Sequence, residues 1–163
     1  MRAASGFLLW ILSFGALSCT ILPAHLNDRP ADLVDSTPAI VLARAVSFTD
    51  PDGGSLATFT FEAVRTLKGN PPKSFRLDGY HAKKVGSPGD FQQHKDPKFW
   101  AFEAGNSIQP GNCQAHGLFE VGQTYLIFLR RDSHYRAYEN IRSPEDLWLK
   151  VVETLIHRGQ HTR

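Results

Sequence analysis

The chain has 163 residues, with 18 Lys plus Arg against 16 Asp plus Glu, a formal charge of +2. That near balance supplies neither the basic field that nucleic acid requires nor an acidic field for cations. With an N-terminal export segment set aside, residues 19–163 are long enough for one domain with a real core.

Arg2 is followed by an uncharged apolar run from Gly6 to Leu17. The run is shorter than the ~20 residues a membrane-spanning helix takes. Its length and flanks fit the core of a signal peptide. Ala16 and Ser18 are small and suit cleavage before Cys19, so residues 1–18 are expected to be a signal peptide. The mature chain is then exported, to the periplasm or beyond the cell. Ala16-Leu17-Ser18-Cys19 also resembles a lipobox, with Ala16 where that pattern favours Leu. In that alternative Cys19 is lipidated and ties the chain to a membrane. The only other cysteine is Cys113. In an oxidising compartment the two could form one disulfide, a fate that lipidation of Cys19 excludes.

Residues 19–38 form a leader rich in Pro, Asp and small residues, with room for a helical turn at Ala31 to Asp35. Ala39 to Phe48 is apolar and carries several β-branched residues, which predicts a strand. Thr49 to Ser55 is a turn cluster of Asp, Pro and Gly. Leu56 to Leu67 alternates, with Phe59, Phe61 and Ala63 on one face and Thr58, Thr60 and Glu62 on the other, which is a strand period. Lys68 to Pro72 is a turn, and Ser74 to Tyr80 a short third strand. From His81 to Asn112 Gly, Pro and scattered charges show no period, and a stretch this long inside a small domain often carries function. After a turn at Val121 to Gln123, Thr124 to Arg131 is a strand and Tyr135 to Ile141 a last one. Ser143, Pro144 and Asp146 then form a capping pattern, predicting a helix from Ser143 to His157 that Gly159 ends. Its buried stripe is expected at Leu147, Val151 and Leu155, with Trp148 and Val152 beside it. The domain therefore spans residues 39–158, with an irregular insertion at 81–112.

Three stretches carry a family resemblance: AIVLARAVSF from Ala39, FTFEAVRTLKGNPP from Phe59 and CQAHGLFEVGQTYLIFL from Cys113. They resemble bacterial proteins similar to the tissue-inhibitor-of-metalloproteinase and netrin-like (NTR) domains. The shared marks are Leu67-Lys68-Gly69, and a Cys preceding Gly122-x-x-Tyr125-Leu126-Ile127-Phe128. The stretch HKDPKFWAFEAGNSIQPGNC from His94 looks like a feature of a proteobacterial subgroup. The resemblance implies a mainly β fold, a five-stranded OB-type barrel with a helix packed on it. In the inhibitors of this class the mature chain starts Cys-x-Cys, and its first Cys is bonded to one just before the later strand. Cys19 and Cys113 have the matching places, so the resemblance implies a Cys19–Cys113 disulfide. Residue 21 is Ile where the second Cys would stand, a departure from the protease-inhibiting pattern.

His94, Asp96, Cys113 and His116 fall in or beside the insertion, and Cys113-x-x-His116 has a spacing zinc tolerates. Single pairs of this kind arise readily by chance, so no metal or other cofactor is expected, with these four residues the alternative. No Gly-x-Ser-x-Gly elbow and no His-Glu-x-x-His occurs, and catalysis is not expected. Phe99, Trp100 and Phe102 are either an anchor for a partner or a plug over one end of the barrel. The reading is an exported, non-catalytic binding domain for a protein or envelope partner, without nucleic acid, and at the membrane only if Cys19 is lipidated. The alternatives are a metal-binding exported domain and a metalloprotease inhibitor.

Overall fold

The computed structural model describes residues 29–50, 53, 54, 56–82, 114–130, 134 and 136–161. Strands β1 (Ala39–Thr49), β2 (Leu56–Lys68), β3 (Ser74–His81), β4 (Gly117–Phe119), β5 (Thr124–Leu129) and β6 (Tyr138–Asn140) form one sheet in the order β4-β3-β2-β1-β5-β6. The sheet curls until its two edge strands meet, where the rings of Phe119 and Tyr138 stand 5.8 Å apart. The fold is thus mainly β, a nearly closed six-stranded barrel-like sheet with a C-terminal helix. The sixth strand is β4, whose three residues are too few to show a period in sequence.

β3 and β4 run parallel, Gly79 opposite Gly117 and His81 opposite Phe119. Parallel neighbours need a crossover of a dozen or more residues. Topology therefore requires a long connection between His81 and Gly117, whatever else that segment does.

Register shifts decide which side chains face inward. β2 carries one extra residue at Leu67 and another at Val64 relative to β1, and β1 carries one at Val46 relative to β2. A bulge moves the following side chains to the other face. Val41, Ala43 and Ala45 alternate into the barrel, and the bulge at Val46 lets Phe48 join them and stack on Phe59 at 5.5 Å.

Two cores result. The barrel interior holds Val41, Ala43, Ala45, Ala57, Phe59, Phe61, Phe119, Tyr125 and Ile127. Phe119 is its centre, with ring centroids 4.9 Å from Phe61, 5.1 Å from Tyr125 and 5.3 Å from Phe59. Its ring lies over two glycines: a Cβ would sit 2.3 Å from the ring at Gly79 and 2.2 Å at Gly117. The outer face of β1 and β5 carries Ile40, Leu42, Leu126 and Phe128, covered by helices α1 (Pro30–Ser36) and α2 (Leu147–His161). Leu33 and Val34 of the leader are buried in this second core.

α1 starts with Pro at its first turn and Asp32 bridged to Arg29 at 2.9 Å. At its end the Thr37 hydroxyl donates to Leu33 O at 2.7 Å, and Lys68 Nζ donates to Val34 O at 2.6 Å and Asp35 O at 3.1 Å. A lysine at a helix C-terminus satisfies carbonyls that have no partner within the helix.

α2 departs from expectation in three ways. It begins at Leu147, with the Asp146 carboxylate accepting the Leu149 N–H at 3.1 Å, so Asp146 is the cap and Ser143-Pro144-Glu145 form a preceding turn. Its buried stripe is Trp148, Leu149, Val152 and Ile156, while Leu147 is 41% exposed and Val151 and Leu155 are half-buried. Both stripes are apolar, and the larger surface removed by centring Trp148 decides between them. The helix also runs through Gly159 to His161. Glycine inside a helix costs about 1 kcal/mol relative to Ala.

Candidate functional site

The residues that carry the family resemblance turn out to hold the fold. Leu67 packs on the helix-side core and Lys68 caps α1. Gly69 has φ +69°, and a Cβ there would lie 2.1 Å from Pro38 O, so only glycine fits. Gly122, at φ +89°, makes the turn into β5, and its N–H donates to Ala45 O at 2.7 Å. The Tyr125 hydroxyl accepts the Glu120 N–H at 2.8 Å across that turn. Burial raises the Tyr125 pKa above the ordinary phenol value, against the lowering effect of its hydrogen bonds.

Of the residues singled out for function, His116 alone is described; Cys19, His94, Asp96, Phe99, Trp100, Phe102 and Cys113 lie outside the described residues. His116 precedes β4, half-buried, with its ring edge-on to Tyr80 at 5.8 Å. Its Nε2 is buried without a hydrogen-bond partner. Among the described residues no three His, Cys, Asp or Glu side chains gather as metal ligands, and no helix is long and apolar enough to cross a membrane.

The structure adds an aromatic group at one mouth of the barrel. Phe48, 40% exposed, stacks on the buried Phe59 and meets the His81 ring edge-on at 5.0 Å. His81 Nδ1 is also buried without a hydrogen-bond partner. His81 is the last residue of β3, where the long connection departs, so Phe48 and that connection share one end of the barrel. His81 and His116 do not form one site. His81 pairs with Phe119 on the inner face, whereas His116 touches Tyr80 on the outer face. Alternation alone would have placed Phe48 outside, which is why sequence reading passes over it.

A second unforeseen feature is polar and buried. His134 and Glu139 are fully buried and Arg136 is 1% exposed. His134 Nδ1 accepts the Arg136 backbone N–H at 3.1 Å, and its carbonyl accepts the Ala137 N–H at 3.1 Å, shaping the turn into β6. Desolvation lowers the Arg136 pKa, and the nearby Glu139 carboxylate opposes that shift. These groups face the protein interior and shape the β5–β6 connection.

No protein-family model and no curated protein matches this chain.

Proposed function

We propose that the chain is an exported, non-catalytic binding domain of OB-type, NTR-like architecture, whose partner contacts the barrel mouth at Phe48. The carrying observation is a large aromatic side chain left 40% exposed above an aromatic interior that is already filled. Exposed aromatic anchors concentrate binding energy. A filled interior directs a ligand to the rim rather than into a lumen. The OB-type reading rests on β1 lying between β2 and β5, on the parallel β3–β4 pair, and on the helix packed against the outer face. The signal-peptide pattern of residues 1–18 supports export. The resemblance supports a Cys19–Cys113 disulfide in the non-lipidated protein. The insertion aromatics Phe99, Trp100 and Phe102 belong to the same proposal, because the connection that carries them follows His81, whose ring meets Phe48.

A photo-crosslinking residue in place of Phe48, in the native host, is expected to give one discrete adduct. The same residue in place of Arg76, exposed on β3, is expected to give none. Equal products at both positions, or none at Phe48, overturn the reading.

The orphaned Nε2 of His116 favours one second reading, a metal site shared with His94, Asp96 and Cys113. Stoichiometric zinc that disappears in His116→Ala would establish it. Sub-stoichiometric zinc in the unaltered protein would remove it.

A further inference from the structure

A cleft of about 530 Å³ opens where the C-terminal parts of α1 and α2 approach the end of β2. That is within the usual size of small-ligand sites, about 300–1,000 Å³. The half-buried Leu155 supplies most of its accessible apolar lining, over the largely buried Val34 and Ile156, and Asp35, Lys68 and Gly159 part of the rest. The two charges are not equivalent. The Lys68 ammonium is seated on the last carbonyls of α1, where the helix dipole offsets its charge. The Asp35 carboxylate is exposed and makes no ion pair with another described residue. It lies beside Gly159, where a Cβ would meet its Oδ1 at 3.6 Å and no other described side chain or backbone within 4 Å. Glycine is therefore required there neither by a close neighbour nor by a left-handed backbone, although it weakens the helix. What its missing side chain preserves is the open space of the cleft.

We propose that this cleft binds a small organic cation, an alkylammonium whose charge sits against the Asp35 carboxylate and whose chain lies over Val34, Leu155 and Ile156. The site is on the helix-covered face and is independent of the binding proposed at Phe48.

The test is a titration of the full mature chain with n-pentylammonium chloride, followed by backbone amide NMR shifts. Saturable shifts confined to Asp35, Ile156, Gly159 and their neighbours are expected. Asp35→Asn changes an exposed side chain and leaves the fold in place. It should weaken binding about tenfold or more, the loss of one charge-assisted hydrogen bond. Pentan-1-ol, with the same chain and no charge, should be weaker by a similar factor. Gly159→Leu should abolish the shifts by filling the space. Absence of saturable shifts, equal affinity for pentan-1-ol, or unchanged affinity in Asp35→Asn overturns the proposal.

Discussion

The two cores on either side of β1 and β5 are built on different terms. The barrel interior is aromatic and closes on itself, with the Phe119 ring lying against the backbone of Gly79 and Gly117. The helix side is mostly aliphatic around Trp148, with helices rather than ring and glycine backbone on its outer side. A packed interior tolerates little added volume when the neighbours are backbone and ring. A helix lying on a sheet can adjust. The interior therefore sets the curl of the sheet, and the helix layer covers what that curl leaves outside.

The largest expected effect tests the helix layer with charge rather than volume. Val152→Asp places an unpaired carboxylate on the fully buried side of α2 and should cost about 3–5 kcal/mol in chemical denaturation. Leu147→Asp, on the exposed flank, should stay within about 0.5 kcal/mol. Equal losses would mean that the stripe centred on Trp148 is misplaced.

A single methyl group then separates the two cores. Gly117→Ala puts a Cβ 2.2 Å from the Phe119 ring and 2.9 Å from Tyr138 Cβ. It should destabilise by about 1–3 kcal/mol, the usual range for overpacking. A wild-type denaturation midpoint for this variant would show the interior to be as adaptable as the helix side.

Tyr125→Phe leaves the Glu120 N–H without its acceptor and should cost about 1–2 kcal/mol. It should also change the alkaline limb of stability. Burial raises the Tyr125 pKa in the folded state, so the unfolded chain ionises first, near pH 10. The stability tied to the neutral phenol is complete below that pH and is lost as pH rises through the folded-state value. Stability curves of the two proteins should thus converge at high pH; parallel curves would contradict the raised pKa.

The smallest effect has the opposite sign. Gly159→Ala adds the same methyl on the helix side, with only Asp35 Oδ1 at 3.6 Å. It should stabilise by about 0.5–1 kcal/mol through helix propensity. Destabilisation there would remove the contrast between the cores.

The long strands were legible because β1, β2 and β5 carry strong apolar or alternating patterns over several residues. The helical turn expected at Ala31 to Asp35 falls within α1, which starts one residue earlier at Pro30. The bulges at Val46, Val64 and Leu67 were not legible, since an extra residue leaves no mark in composition. Phe48 went unnoticed for that reason. The stripe of α2 was ambiguous because two adjacent sets of positions are both apolar, and only packing selects Trp148. Of the candidate site, His116 was found at a strand entry with an orphaned nitrogen, while the exposure of Phe48 and the burial of Arg136 and Glu139 depend on tertiary contacts no local pattern encodes.

The parallel pairing of β3 and β4 divides the chain into two fragments. The first contributes α1, β1, β2 and β3, and the second β4, β5, β6 and α2. Among the described residues they are joined by the β1–β5 ladder from Ala39 opposite Leu129 to Arg44 opposite Thr124, the short β3–β4 ladder, the packing of Phe59 and Phe61 on Phe119 and Tyr125, the contact of the two helices and the Arg65–Glu153 ion pair. With the proposed Cys19–Cys113 bond reduced, cutting the connection between β3 and β4 retains those contacts and converts an intramolecular fold into a bimolecular complex. Its midpoint of unfolding would then rise with concentration. The fold is in this sense already a split protein, and separately produced halves are its natural route to fragment complementation.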